Sequence, residues 1–169
     1  MMQGITMRTI PRLYLGTMTF AWSQTSSKVD ERVATEMVQT FADVCGDLGQ
    51  SSILIDTARI YAGGKTEPCV AQALSNSRKS TLSYSVGTKA HPSQVGGLSK
   101  AGIEAQYEAS TSAMPNLGIE EYYLHQPDPE HSLLESLKCL HDFHEQGKIS
   151  AIGMSNYHAS EMERAFALC

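Results

Sequence analysis

No cluster of lysine and arginine stands out in the sequence, and acidic residues outnumber basic ones. The chain has 13 Lys and Arg against 18 Asp and Glu, a formal net charge of −5. This balance argues against a surface that binds nucleic acid or an anionic membrane. The sequence also lacks any run near the ~18 consecutive apolar residues of a membrane span. We therefore predict no nucleic-acid partner and no membrane partner.

Cysteine is scarce and follows no pairing pattern. No C-x-x-C pair, zinc-ligand spacing or N-x-S/T glycosylation site occurs, and the four cysteines are Cys45, Cys69, Cys139 and Cys169. These absences favour reduced thiols and a cytoplasmic location. No acidic residue precedes Asp30, a bias that transit peptides share. Because residues 13–17 are typical of a strand and turn, we still expect this region to belong to the folded domain.

The length and composition fit one folded domain, residues 1–169. Of the 169 residues, 41% are hydrophobic and 18% are charged, which suits a packed core and argues against disorder. Short apolar runs alternate along the chain with longer segments of helical period. The runs that predict strands are residues 13–16, 53–55, 82–86, 122–124 and 149–152.

A helical pattern follows each apolar run. From Asp30 to Leu48, apolar residues recur in steps of three and four, with Asp30 as the N-cap and Gly49 as the stop. The other helices are predicted to begin near Thr66, Ser99, Ser132 and His158. A strand–helix unit repeated five times predicts a parallel sheet covered by helices.

Chemically capable side chains follow consecutive predicted strands. Asp56 ends the second strand, Lys89 the third and His125 the fourth, and Tyr61 comes shortly after Asp56. Alone, each would be read as a turn, surface or core residue. Because the carboxyl ends of parallel strands gather functional groups, the four together predict one shared site.

These four residue types suit the transfer of a proton to a carbonyl oxygen. A free tyrosine has a pKa of about 10, which is high for a proton donor at neutral pH. A nearby ammonium stabilises the phenolate, and a carboxylate gives that ammonium its counter-charge. An imidazole then orients the carbonyl or shares its proton. We therefore predict that Lys89 lowers the pKa of Tyr61 and that the site protonates a carbonyl oxygen as hydride reaches the carbon.

Five ordered motifs resemble those of the aldo-keto reductase family. They are DTARIY at 56–61, GKTE at 64–67, TK at 88–89, YLH at 123–125 and GMSNY at 153–157. The segments LGTM at 15–18 and EQGK at 145–148 resemble in particular the branch that includes aflatoxin-aldehyde reductases. The resemblance covers almost the whole chain and implies a parallel (β/α)8 barrel of the TIM type.

The resemblance also implies a catalytic role for each of the four residues. Tyr61 corresponds to the family's proton donor, and Lys89 and Asp56 correspond to the pair that tunes it. His125 corresponds to the residue that orients the substrate carbonyl. The implied reaction is the reduction of small-molecule aldehydes and ketones to alcohols, with NADPH as the hydride source.

The same resemblance implies the cofactor contacts. The residues that correspond to the cofactor site are Gly16, Thr17, Met18, Asp56, Ser155 and Asn156. Ser155 and Asn156 match the pair that holds the nicotinamide carboxamide. Glu121 departs from the family, which prefers an apolar residue at this point of the strand, and an inward-pointing carboxylate there would be costly. No metal site is predicted, since His141, His144 and Glu145 fit a solvated helix face better than a metal centre.

The chain supplies five strand–helix units, whereas a barrel of this kind has eight. At the spacing of the predicted strand ends, eight units need roughly 276 residues. Three hypotheses follow: a fragment or truncated product of an aldo-keto reductase, a non-catalytic relative that serves as a binding or regulatory module, or two copies that complement each other. For the chain alone we expect little activity, self-association through open sheet edges and an exposed apolar inner face.

Overall fold

Strands and helices alternate along the whole computed structural model, which describes residues 11–78 and 82–168. The elements are β1 (Tyr14–Gly16), α1 (Glu31–Asp47), β2 (Ser52–Asp56), α2 (Thr66–Asn76), β3 (Ser83–Ala90), α3 (Lys100–Ala113), β4 (Ile119–Leu124), α4 (Leu133–Glu145), β5 (Ala151–Met154) and α5 (Ala159–Leu168). A short 3₁₀ helix spans Tyr61–Gly64. The acid-free segment ahead of residue 11 and Cys169 lie outside the described residues.

The strands form one parallel sheet in the order β1-β2-β3-β4-β5. Because parallel crossovers are right-handed, successive connections in this order place their helices on the same face of the sheet. β3 is longer than the sequence predicted, because Thr88, Lys89 and Ala90 continue the ladder with β4. β5 begins two residues late, since Ile149 enters the core ahead of the ladder. The predicted α/β class and the parallel sheet are confirmed.

The helix-covered face of the sheet holds the hydrophobic core. Alternate strand residues point into it and pack against the helices; those from the strands include Ile53, Ile55, Val86, Tyr122 and Leu124. Continuous burial on this face is what parallel strands require when helices cover them. The core therefore fixes the strands in register and aligns their carboxyl ends.

The helices begin at or next to the predicted residues, and two of those residues act as side-chain N-caps. The Asp30 carboxylate accepts a hydrogen bond from Val33 N at 3.0 Å, and Ser99 Oγ accepts one from Gly102 N at 3.1 Å. Ser132 occupies the N-cap position of α4 without a side-chain bond. Thr66 is the first residue of α2, where the helix was predicted to begin, and its hydroxyl donates to the Phe20 carbonyl at 2.8 Å rather than capping the helix.

The opposite face of the sheet, here called the open face, carries polar side chains. Asp56 and Lys89 pair on it, and Glu121 contacts the hydroxyls of Tyr14 and Tyr123. The expectation of an apolar inner face is therefore wrong for this chain. The physical reason is that tyrosine hydroxyls and an ammonium satisfy the carboxylates there, so charge is tolerated without helix cover.

Two further findings bear on the predicted environment. Cys45, Cys69 and Cys139 are free thiols in the structure. Across residues 11–78 and 82–168, none of the helices combines the length and the apolar character needed to cross a bilayer.

Candidate active site

An ion pair between neighbouring strands anchors the site. Lys89, near the end of β3, donates from Nζ to Asp56 Oδ1 at 2.7 Å and to the Thr57 carbonyl at 2.7 Å. Asp56 is the last residue of β2, so the parallel register brings the two side chains together. The Lys89 side chain is only 6% exposed, and a buried ammonium needs such partners. Lys89 thus points into the site, as predicted.

Tyr61 lies on the 3₁₀ turn that follows β2. Ala62 and Gly63 adopt left-handed backbone conformations, with φ of 50° and 63°, and the turn brings the phenol ring back over the strand ends. Lys89 Nζ lies 5.3 Å from the centroid of the Tyr61 ring. Within the described residues, the Tyr61 hydroxyl makes no hydrogen bond to Lys89. The ammonium therefore meets the ring, while its hydrogen bonds go to Asp56 and Thr57.

The pKa of Tyr61 moves opposite to the predicted direction. Burial of the phenol raises the pKa, and the Asp56 carboxylate raises it further. The prediction of a lowered Tyr61 pKa is wrong, because desolvation disfavours the phenolate and the Asp56 charge acts in the same direction, and together they set the net shift. At neutral pH the Tyr61 hydroxyl is protonated and is available as a proton donor.

His125 follows β4 and meets two aromatic rings edge-on. Its ring centroid lies 5.5 Å from that of Tyr61 and 4.9 Å from that of His91. Burial lowers the pKa of His125 to about 4, and the charges of Lys89 and His91 contribute in the same direction. His125 Nδ1 is buried and has no hydrogen-bond partner. The imidazole is therefore neutral near pH 7.

A cavity of about 500 Å³ opens in front of Tyr61 and His125. Its apolar wall includes Met18, Trp22 and Ile60, and its polar wall includes His91. A mostly apolar cleft with a few convergent polar groups is the usual form of a small-molecule site. The cavity offers room for a small molecule beside the phenol and the imidazole.

A buried polar triad supports the strand that carries Lys89. Glu67 is fully buried and accepts hydrogen bonds from Arg59 Nη1 at 2.7 Å and from Thr88 Oγ1 at 2.8 Å. Glu67 and Arg59 come from the GKTE and DTARIY motifs, and Thr88 precedes Lys89. Three of the motifs found in the sequence therefore meet behind the site.

The residues predicted to contact the cofactor lie around the same strand ends. Thr17 is buried, and its hydroxyl donates to the Asp56 carbonyl at 2.9 Å, which leaves Met18 to face the cavity. Asn156 Nδ2 donates to the His125 carbonyl at 2.9 Å and to Ser155 Oγ at 3.1 Å.

The donor set beyond β5 fits a carboxamide. With Asn156 Nδ2 already engaged, the Ser155 hydroxyl proton and the Asn156 amide oxygen remain as one donor and one acceptor. A carboxamide presents the complementary acceptor and donor. At the end of β1, Gly16 has no atom within 4 Å of a Cβ built on it, so the backbone there is open to close approach.

Most of the cavity lining was not predicted from the sequence, and the two missed residues with the largest chemical consequence are His91 and Trp22. His91 accepts a hydrogen bond at Nδ1 from Ser93 N at 3.1 Å, and burial lowers its pKa. The sequence did contain a signal for His91, because this residue lies two positions after Lys89 and alternate residues of a strand share a face. Trp22 follows β1 in a loop without a recognised motif, and no signal in the sequence pointed to it.

The sequence profile of the Aldo/keto reductase family matches residues 12–168. The chain is similar to the oxidoreductase sirO of Leptosphaeria maculans, at 30% identity over 154 residues, covering 90% of this chain and 45% of that protein. It is also similar to aflatoxin B1 aldehyde reductase member 4 of Homo sapiens, at 30% identity over 115 residues, covering 68% of this chain and 35% of that protein. The chain thus spans less than half the length of these relatives.

Solved structures share the fold. A thermostable aldo-keto reductase, Tm1743, solved with the inhibitor epalrestat, matches with a TM-score of 0.68 at 28% identity, covering 96% of this chain and 56% of that chain. The glycerol dehydrogenase AKR11B4 from Gluconobacter oxydans matches with a TM-score of 0.69 at 25% identity, covering 92% of this chain and 48% of that chain. The five strand–helix units therefore correspond to about half of a TIM-type barrel.

Proposed function

The chain belongs to the aldo/keto reductase family, and from that premise we propose that it reduces small-molecule aldehydes or ketones to alcohols with NADPH. The observation that carries the proposal is the position of the Lys89 ammonium. It is bound to Asp56 at 2.7 Å and lies 5.3 Å from the Tyr61 ring, beside a cavity that His125 also lines. This arrangement combines a proton donor with a fixed positive charge next to space for a carbonyl group.

Tyr61 is the proton donor in this proposal. Its raised pKa keeps the hydroxyl protonated at neutral pH, which a donor requires. When the proton moves to the substrate oxygen, negative charge develops on the phenol. Lys89 is already positioned to stabilise that charge, and Asp56 keeps the ammonium in place.

His125 orients the substrate oxygen. Its pKa of about 4 makes the ring neutral under ordinary conditions, so one ring nitrogen carries a proton. The ring lines the cavity beside Tyr61 and can donate a hydrogen bond to the same oxygen that Tyr61 protonates. The two edge-on ring contacts restrict the imidazole to this orientation.

Bound NADPH supplies the hydride. Ser155 and Asn156 fit its carboxamide, since they retain one free donor and one free acceptor at the end of β5. Met18 lines the cavity, and the open backbone at Gly16 lies at the end of β1. The preference for NADPH over NADH belongs to the proposal and rests on the family resemblance.

The test is NADPH oxidation by the purified full-length gene product with a panel of aldehydes and ketones, and NADH as the comparison. We expect substrate-dependent oxidation that is faster with NADPH. A protein that binds NADPH and turns over none of the panel would contradict this function. It would support the alternative of a non-catalytic binding or regulatory module, for which the short span relative to sirO is the motivating observation.

Three properties accompany the proposal as predictions. Residues 1–169 form a single domain, the protein acts in the cytoplasm, and copies of the chain alone associate through the sheet edges. β1 and β5 lie at the two edges of the described sheet, and an unpaired edge is a template for strand pairing.

A further inference from the structure

A polar cluster of Tyr14, Glu121 and Tyr123 on the open face lies beside the proposed catalytic residues and takes no part in the proposed proton transfer. At its centre is Glu121, whose side chain is 13% exposed. Glu121 Oε1 accepts a hydrogen bond from the Tyr14 hydroxyl at 2.8 Å, and Oε2 accepts one from the Tyr123 hydroxyl at 2.7 Å. Both carboxylate oxygens are thus occupied, so the feature that the sequence marked as costly is satisfied.

Glycines on the neighbouring strands make room for this cluster. Glu121 pairs in register with Gly87 of β3, and Tyr123 pairs with Gly153 of β5. A Cβ at Gly153 would overlap the Tyr123 ring. At Gly87 a Cβ would lie 3.3 Å from Tyr123 Cε2 and 3.4 Å from Glu121 Oε2. The ring of Tyr123 is therefore held between two strands that lack side chains at the contact.

The seated ring faces the Lys89 ammonium. Lys89 Nζ lies 5.6 Å from the centroid of Tyr123 and 5.3 Å from that of Tyr61, within the range of a cation–π contact. The two hydrogen bonds of the ammonium go to Asp56 and Thr57. Two rings and two oxygens therefore surround the charge.

The hydrogen bond to Glu121 strengthens the contact between Tyr123 and Lys89. Donation to a carboxylate increases the electron density of the phenol ring, which favours a cation at its face. Burial and the Glu121 carboxylate both raise the pKa of Tyr123, so the hydroxyl remains a donor. Glu121 thus fixes both the position and the polarity of the ring.

We propose that Tyr123, held by Glu121, is a positioning residue that keeps the Lys89 ammonium between Asp56 and Tyr61. Its importance for catalysis rests on the proposed function, whereas its effect on Lys89 does not. Tyr123 is not among the residues that line the cavity, so it acts through Lys89 and leaves substrate contacts unchanged.

The direct test is the rate at which acetic anhydride acetylates Lys89 in the full-length gene product, followed by mass spectrometry with exposed Lys138 as the internal reference. In the wild type we expect Lys89 to react more slowly than Lys138. Tyr123→Leu should raise the Lys89 rate about tenfold relative to Lys138, because both cover and cation–π stabilisation are lost. Tyr123→Phe keeps the ring and should raise it about twofold to threefold.

The matched control is Tyr14→Phe. It also removes one hydroxyl that donates to Glu121, but among the described residues no hydrogen bond or cation–π contact joins Tyr14 to Lys89. We expect the wild-type rate in this variant. Equal rates for Lys89 and Lys138 in the wild type, or equal effects of Tyr14→Phe and Tyr123→Phe, would overturn the proposal. If Tyr123→Leu loses its native circular dichroism spectrum, the comparison between Tyr123→Phe and Tyr14→Phe decides alone.

Kinetics separate this inference from the proposed function. Tyr123→Leu should lower kcat about tenfold and leave KM for the carbonyl substrate unchanged, because the catalytic charge moves while the cavity does not. A wild type without carbonyl reduction, but with the expected pattern of acetylation, would refute the function and leave the positioning role standing. If Tyr123→Leu is acetylated faster at Lys89 but keeps the kcat of the wild type, catalysis does not depend on how Tyr123 positions the ammonium. That result would refute the importance of Tyr123 for catalysis.

Discussion

Lys89 Nζ lies 2.7 Å from Asp56 Oδ1 on the adjacent strand, and this ion pair sets the geometry of the site. The Lys89 side chain is nearly buried while that of Asp56 is 35% exposed, so the carboxylate keeps some contact with water. The pair therefore holds a nearly buried ammonium 5.3 Å from the centroid of the Tyr61 ring, where negative charge would develop in the proposed reaction.

Removal of the ammonium should slow the reaction and leave the fold intact. In Lys89→Met we expect kcat to fall about 10- to 100-fold, because the phenolate of Tyr61 loses its stabilising charge. Asp56→Asn should have a smaller effect, since Lys89 retains the Thr57 carbonyl. Steady-state kinetics of the full-length gene product measure both. Equal activity of Lys89→Met and wild type would contradict the role of this charge.

The low pKa of His125 predicts a loss of stability in mild acid. The folded-state value of about 4 lies below the ordinary value of 6.5, so the unfolded chain binds more protons between these limits. The free energy of unfolding should therefore fall as the pH decreases from about 6.5 to about 4. His91 contributes in the same direction, because its pKa is also lowered.

Denaturant unfolding at a series of pH values measures this dependence. In His125→Gln the decrease should be smaller than in the wild type, with the remainder due to His91. His141→Gln changes an exposed imidazole on α4 and serves as the control, with the wild-type decrease expected. A decrease in His125→Gln as large as in the wild type would show that His125 titrates normally.

The buried pair of Arg59 and Glu67 should be important for stability. Arg59→Met leaves the fully buried Glu67 carboxylate without its cation, which costs about 3–5 kcal/mol in comparable buried pairs. The matched control is Arg32→Met, which breaks an exposed pair with Glu36 and should change the free energy of unfolding by less than about 0.5 kcal/mol. Urea unfolding of the three proteins tests this, and similar losses in both variants would contradict it.

The polypeptide of residues 1–169, expressed by itself, should show weak NADPH binding and little turnover. A closed barrel has no sheet edges, whereas β1 and β5 are edges of the described sheet. We expect self-association or a molten state, seen as early or broad elution in size-exclusion chromatography and a weak near-UV circular dichroism signal. A monodisperse monomer with sharp near-UV bands and robust turnover would mean that five units suffice.

Much of the fold could be predicted because local signals agreed with one another. Asp30 and Ser99 cap their helices as expected, since each is followed by an amphipathic pattern that defines where a helix begins. The start of α2 near Thr66 was also predictable, but the hydrogen bond of the Thr66 hydroxyl to the Phe20 carbonyl, 46 residues away in the chain, was not. A tertiary contact of that kind leaves no periodic trace in the sequence.

The proximity of Asp56, Tyr61, Lys89 and His125 was predictable from the sequence, and their electrostatics were less so. The register of β2 and β3 brings Asp56 and Lys89 together, because residues near the ends of adjacent parallel strands lie side by side. The direction of the Tyr61 pKa was missed because it depends on burial, which the sequence does not specify. Glu121 was marked as a cost although one partner, Tyr123, lies two residues along the same strand and on the same face. Its other partner, Tyr14, lies 107 residues away and could not be predicted from the sequence.

The most direct test of the account is Tyr61→Phe, which removes only the hydroxyl proposed as the proton donor. Carbonyl reduction and NADPH binding of the full-length gene product are measured side by side, by NADPH oxidation and by fluorescence titration. The account predicts a loss of about 10²- to 10⁴-fold in kcat, the usual contribution of a positioned general acid, with NADPH affinity nearly unchanged. Turnover in Tyr61→Phe equal to that of the wild type would contradict it.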